Sequence, residues 1–370
     1  MKLKGKVKFV SKDKTDFFQV LKKRVDQYFD ENKVSKHANF SMVAKSIILL
    51  LGYLLPFVLL LTLQITSLWF LLIWVVMGVC MAGIGMSVMH DANHGAYTDN
   101  DKVNEFIGYS LNLVGGSVLN WKLQHNILHH TYTNVCGMDD DIADRLVLKF
   151  SPHTKVKWFH KFQPFYVFFF YGIITGYWVF LKDLIQFYQF TKNGVNPQSK
   201  KQNIVSFVKI SLMKIIYLLV ILFVPVYFFS IPIWEVIVGF SLMHFIAGIT
   251  LSVIFQMAHT VDETVHPLPN ELGNIENDWA IHQMETTVNF SPKNKLLSWY
   301  VGGLNFQVEH HLFPKICHVH YPSLSKIVKQ TADEYGVPYL VNPTFFGAIK
   351  SHLRALKRFG SVLKFNEVIA

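Results

Sequence analysis

The sequence predicts an all-α integral membrane protein, with four transmembrane helices and a cytoplasmic helical cap holding a histidine-rich di-metal site. Three observations lead there. The 370 residues are 51% hydrophobic and their mean hydropathy is positive, too apolar for a soluble pair of domains. Four runs are long enough and poor enough in charge to cross a bilayer. Eight of the seventeen histidines cluster at or beyond the ends of those runs.

Residues 1–43 read as a basic cytoplasmic segment, with Lys2, Lys4, Lys6, Lys8, Lys12, Lys14, Lys22, Lys23 and Arg24 ahead of the first apolar run. No apolar stretch with a small-residue cleavage site follows these lysines, so a secretory leader is not expected. In a polytopic chain such basic residues mark the cytoplasmic side, which accounts for a net charge of +10 without nucleic acid as a partner. Over residues 13–30, Phe17, Phe18, Leu21, Val25, Tyr28 and Phe29 recur at helical spacing opposite Lys22, Lys23 and Asp26. That pattern predicts a surface-lying amphipathic helix.

Residues 44–66 form the first expected span, about 34 Å at ~1.5 Å per residue against a hydrocarbon core of about 30 Å. Pro56 is tolerable inside a packed bundle. A turn around Ser67 without Lys or Arg leads into the second span, 68–89, which returns the chain to its starting side at His90. Residues 107–119 are apolar but too short to cross, and predict an interfacial or re-entrant helix. Residues 165–181, rich in Phe and Tyr and preceded by Pro164, read as a segment at the headgroup level. Residues 207–229 and 232–257 are the third and fourth spans. The predicted membrane domain with its cap covers 44–340, and 341–370 is a basic cytoplasmic tail with Lys350, Arg354, Lys357 and Arg358. A fifth crossing at 165–181 would put the last histidine cluster on the side opposite the first two, so parity favours four.

Three cysteines, Cys80, Cys136 and Cys317, lack the spacing of a disulfide framework or a thiolate zinc site. The histidines carry the chemistry instead. His90 and His94 stand at i, i+4 on one helix face, and His125 and His129 repeat that pair with His130 added. In a regular helix His129 and His130 diverge by about 100°, at ~3.6 residues per turn, and so suit two different ions. His310 and His311 do the same, and His259 closes the fourth span. Imidazole suits iron, zinc, copper and nickel alike, so ligand type does not name the metal. Eight ligands exceed one tetrahedral zinc and suit two ions with open positions, for which a pair of redox-active irons reacting with dioxygen is the best match. His244, mid-span and about 22 Å from His259 at ~1.5 Å per residue, is too far to be a ligand. It reads as a hydrogen-bonded bundle residue, with the end of an acyl tunnel as the alternative.

The segments His90-Asp91-Ala92-Asn93-His94, His125-Asn126-Ile127-Leu128-His129-His130 and Gln307-Val308-Glu309-His310-His311 resemble the three histidine boxes of the membrane fatty-acid desaturases. The flanking Thr131-Tyr132-Thr133-Asn134, Gln256-Met257-Ala258-His259 and Leu312-Phe313-Pro314 agree, and the resemblance runs from about residue 40 to about 340. It implies that His90, His94, His125, His129, His130, His259, His310 and His311 are ligands to two Fe ions, with O2 as co-substrate. Gln307, where many relatives have histidine, is a further candidate ligand and resembles the front-end branch, which inserts a double bond between an existing one and the carboxyl end. Ligating imidazoles usually give their other N–H to a carboxylate or carbonyl. Asp91, Glu263, Glu309 and the run Asp139-Asp140-Asp141 are the candidates for that role.

The reaction so implied removes two hydrogens from adjacent methylenes of an acyl-CoA or acyl-lipid. Such carbons have no acidic proton, so the metal carries the hard step and the protein supplies ligands, orientation and dryness. No dinucleotide fingerprint, cysteine cluster or HPGG haem motif is found in the sequence, with His266-Pro267-Leu268-Pro269 the nearest and unmatched. A separate electron donor is therefore expected: a ferredoxin, a flavodoxin or a free cytochrome b5, many of them acidic and suited to a basic face. The setting this implies is a bacterial plasma membrane, or the endoplasmic reticulum in a eukaryote, with the active site on the cytoplasmic side. Alternatives on the same scaffold are a sphingolipid long-chain-base desaturase and a fatty-acyl hydroxylase. A non-catalytic haem- or zinc-binding membrane protein is the alternative from another class.

Overall fold

A computed structural model of the chain describes residues 7–11, 15–63, 65, 67–143 and 147–361. These residues are mostly helical and fall into two compact units. A membrane unit comprises 38–123 with 168–252, and a cap unit comprises the described parts of 1–37, 124–167 and 253–370.

Among the described residues, five helices are long and apolar enough to cross a bilayer: Phe40–Thr62, Leu68–Asn93, His160–Lys192, Lys200–Phe229 and Ile233–His259. Four correspond to the expected runs. The first begins earlier than predicted, because the Asn39 side chain accepts the Met42 N–H at 3.1 Å and caps it there. Its expected last residue, Thr66, lies outside the described residues. The third long helix departs from the prediction. Pro164 does not break 165–181; it sits in the first turn of Gln163–Tyr177, where its missing N–H costs nothing. A π-helical turn, Trp178–Lys182, then carries the helix on into Asp183–Lys192. Helix length thus admits five crossings where hydropathy and parity predict four. The short apolar stretch 107–119 does not form the single helix expected: it finishes Asp101–Gly108 and then divides into Ser110–Leu113 and Val118–Trp121 around Gly115, whose φ of +83° is open to glycine.

Close helix approach explains the small residues of the membrane unit. A Cβ on Gly239 would lie 2.1 Å from the Trp74 indole, so these helices meet only because position 239 has no side chain. Ile47, Ile48, Leu51, Leu55 and Val58 remain exposed on the opposite face of the first helix, an apolar surface suited to hydrocarbon. His244 is the hydrogen-bonded bundle residue expected. Its Nε2 is 2.9 Å from Tyr217 Oη and its Nδ1 3.2 Å from Thr175 Oγ1.

In the cap unit the amphipathic helix Phe17–Asn32 lies at the surface, with Gln19, Lys22, Lys23 and Gln27 exposed and its apolar face turned inward. Phe17, Leu21, Val25 and Phe29, four residues apart, pack into a core with Val308, Leu312, Tyr321, Leu324 and Val328. Burying each such side chain contributes about 1.5–3 kcal/mol, so this apolar face anchors the helix to the cap. The basic C-terminal helix, Phe345–Gly360, likewise buries Ala348, His352, Ala355, Leu356 and Phe359 and leaves Lys350, Arg354 and Lys357 outward. Two short parallel pairs close the cap, Lys8–Phe9 with Asn274–Ile275 and Asn289–Phe290 with Val341–Asn342.

Candidate metal centre

The second histidine cluster does not sit on a regular helix. Lys122–His129 is π-helical and passes into a short α-turn at His130–Tyr132. A π-turn brings residues i and i+5 onto one face. His130 therefore also faces His125: their Nε2 atoms lie 3.3 Å apart, and the His125 and His129 rings stack with centroids 5.3 Å apart.

The third cluster is placed by its neighbours. Gly302 and Gly303 have positive φ, and a Cβ on Gly303 would meet His318 Cβ at 2.8 Å, so the approach to Asn305 demands glycine. The helix Gln307–Leu312 has no capping side chain of its own. Asn289 serves instead, accepting the Val308 N–H at 2.9 Å and donating to Glu309 Oε2 at 2.8 Å. Tyr339 Oη donates to the other oxygen of Glu309, also at 2.8 Å. Burial pushes the Glu309 carboxyl up to about 7, against the pull of these two donors.

Within the cap, His129, His259 and His311 present ring nitrogens within 4.8 Å of one another, and so do His130, His310 and His311. All five are buried. Four of them, His129, His259, His310 and His311, have Nδ1 beside a polar atom. His129 Nδ1 donates to Asp139 Oδ2 at 3.0 Å, His311 Nδ1 to Gln283 Oε1 at 2.8 Å, and His259 Nδ1 to the Thr286 carbonyl at 3.4 Å. His310 Nδ1 lies 3.2 Å from Tyr321 Oη. Carboxylate and carbonyl oxygens only accept, so His129 and His259 carry their proton on Nδ1 and turn the Nε2 lone pair inward. His129 Nε2 is buried without a hydrogen-bond partner, as a ligand atom is before its ion. Burial opposes charge on His129, yet the charge and hydrogen bond of Asp139, with the charge of Asp141, hold it above the ordinary imidazole value. The same contact holds Asp139 below the usual carboxylate range despite its burial. An imidazole oriented by a carboxylate is a more basic and better aligned ligand. These residues fit a transition-metal ion held by imidazole.

The membrane unit holds the first pair. His90 and His94 are buried, with ring centroids 4.7 Å apart, and the Trp121 indole lies edge-on to both at 5.6 and 5.5 Å. They follow a π-helical turn at Ile84–Val88. Asp91 Oδ1 is 3.7 Å from His90 Nδ1, beyond hydrogen-bond length. Gln307 is buried, and its side chain reaches His259.

Two of the carboxylates read from sequence as imidazole partners serve other groups. Glu263 accepts from Ser351 Oγ at 2.6 Å, because the C-terminal helix packs beside it. Glu309 points away from the imidazoles, toward Asn289 and Tyr339. Asp139, from the acidic run, is the carboxylate that takes the role. Gln283, Thr286 and Tyr321 were not readable as imidazole partners, since they lie in segments with no spacing signal.

A fatty acid desaturase family model matches residues 66–343 of the chain. The chain belongs to the fatty acid desaturase family. It is therefore an oxidoreductase acting on fatty acids, built as a multi-pass membrane protein with a histidine cluster suited to metal. The desaturase is 37% identical to the sn-1 linoleoyl-lipid 6-desaturase of Synechocystis, over 96% of this chain and 98% of that protein. It is 33% identical to the protein of the same description from Arthrospira platensis, over 92% of both. It is 34% identical to the acyl-lipid (8-3)-desaturase of Physcomitrium patens, over 96% of this chain and 74% of that one.

Proposed function

We propose that this desaturase inserts a cis double bond on the carboxyl side of an existing one in an acyl-lipid, with linoleoyl chains desaturated at carbon 6 as the first substrate to test. The observation that carries the reading is the buried triad His129, His259 and His311, each with Nδ1 beside an acceptor oxygen and a ring nitrogen within 4.8 Å of those of the other two. The substrate follows from Gln307 at the head of the third box and from the activity for which the 37% identical relative is named. His90, His94, His125, His129, His130, His259, His310 and His311 are the proposed ligands to two iron ions, with Gln307 beside His259. Iron with dioxygen and two external electrons supplies the oxidising power that no acid–base side chain has against an unactivated methylene. The protein's part is orientation and dryness. Asp139, Gln283, Thr286 and Tyr321 fix the ring planes, and the buried cap keeps water from the reacting carbons.

The electrons come from a separate donor, a ferredoxin, flavodoxin or cytochrome b5. The setting is a bacterial plasma membrane with the metal on the cytoplasmic side. Four crossings are proposed, and geometry inside the cap supports that number. The His129 and His259 rings are 4.7 Å apart, although three long apolar helices lie between them in sequence. Three crossings would separate these residues by the thickness of the bilayer; two would not. His160–Lys192 has the lowest hydropathy of the three, 1.5 against 2.4 and 2.1, and is the helix assigned to the interface.

The test is expression in a host without polyunsaturated lipids, fed linoleate and supplied with a donor, with double-bond positions read by gas chromatography–mass spectrometry. A new double bond at carbon 6, absent from His129→Ala, is expected. A hydroxylated product, or unchanged lipids with iron-loaded protein, would overturn the assignment.

A further inference from the structure

The membrane unit contains an ion pair sealed from solvent. Lys214 Nζ lies 2.8 Å from Asp183 Oδ2, with the two side chains 5% and 0% exposed. Each charge costs several kcal/mol to take from water, and apolar replacements of such pairs are often neutral or stabilising. Packing two helices together does not require it.

What the pair does is visible in its remaining hydrogen bonds. Lys214 has three donors and uses all of them: Asp183, the Gly115 carbonyl at 3.0 Å and the Trp178 carbonyl at 3.0 Å. Asp183 Oδ2 also accepts the Ser117 N–H at 2.9 Å, and Oδ1 accepts Trp178 Nε1 at 2.7 Å and Asn120 Nδ2 at 3.3 Å. The Asp183 carbonyl accepts Asn120 Nδ2 at 2.6 Å. Gly115, Ser117 and Asn120 belong to one short stretch whose own backbone bonding is slight, a turn at Gly115–Gly116 and the single helical turn Val118–Trp121 that Ser117 caps. At Gly115 a Cβ would meet Val179 at 2.7 Å and Tyr217 at 3.0 Å, so the stretch is also clamped by packing. The residue after Asn120 is Trp121, the indole set against His90 and His94.

We propose that the Asp183–Lys214 pair is a positioning device for the first histidine pair: it anchors Gly115–Asn120 and thereby holds Trp121 as the wall that fixes the His90 and His94 rings. The inference rests on the reading of His90 and His94 as iron ligands. A full set of charge-assisted bonds on a stretch with only one helical turn of its own sets that wall more sharply than apolar contact would. Asp183 and Lys214 touch neither metal nor substrate, and act through Trp121.

The experiment uses full-length protein in detergent, loaded anaerobically with Fe(II) alone. Iron per chain and the rate of its removal by a chelator are read beside the melting temperature. Asp183→Asn and Lys214→Met each lower the melting temperature, because each leaves one buried charge unpaired. The apolar double variant Asp183→Leu/Lys214→Met recovers that loss, yet gives up iron about 10–100-fold faster than wild type, the range for lost support of a ligand. Trp121→Leu, with the ion pair intact, strips at a similar rate and tests the inference should the ion-pair variants not fold. Wild-type iron content and stripping rate in the double variant, or in Trp121→Leu, would overturn the inference and leave a packing role. His90→Ala separates the two levels. If it strips fast while the double variant behaves as wild type, only the positioning role fails. If it matches wild type, the ligand reading fails and the inference with it.

Discussion

His244 and His259 lie on one helix, Ile233–His259, and both are buried, yet only one is equipped to hold a metal. His244 has both ring nitrogens engaged, one by Tyr217 and one by Thr175. His259 commits Nδ1 to a backbone carbonyl and turns Nε2 toward His129 and His311. Burial and residue type are the same, and the difference is one lone pair. A buried histidine can hold a metal only when its neighbours leave one nitrogen for the ion, and His244 has none to give.

The comparison breaks if metal and stability do not separate along that line. The largest effect is expected from His129→Ala or His311→Ala, which should lose desaturase activity below detection and lower iron per chain, measured by mass spectrometry of the metal. His244→Gln should keep wild-type iron under the same conditions. Asp139→Asn comes next. It removes the carboxylate that orients His129, and iron affinity or activity should fall about 10–100-fold, the usual cost of losing such a partner. Chelator competition measures it. Tyr217→Phe should leave iron content unchanged and destabilise the membrane unit by about 1–3 kcal/mol, since His244 Nε2 loses its buried partner. A shift in the detergent melting curve reports that loss. Gln307→Ala should have the smallest effect on iron, a few-fold at most, because an amide is a weaker donor than imidazole. Product analysis of the same variant shows whether double-bond position depends on this residue.

The membrane class, four apolar runs and eight histidines were legible in the sequence, because hydrocarbon thickness sets run length and ligand chemistry sets residue type. Spacing grouped His125, His129 and His130 but did not show that His130 also faces His125. The π-turn that aligns His125 with His130 needs one extra residue per turn, which no side-chain pattern announces. The apolar stripe of Phe17–Asn32 was legible too, but not its partner, since a stripe packs on lipid or on Val308 and Leu312 with the same periodicity. Glu263 and Asp139 looked equally suited to support an imidazole. Only the folded chain decided between them, by setting Ser351 beside one and His129 beside the other. Sequence determined which groups this desaturase has available for chemistry. Tertiary structure decided which neighbour engages each histidine, because that depends on contacts between residues as far apart as Gln283 and His311, or Thr286 and His259, which no local pattern encodes.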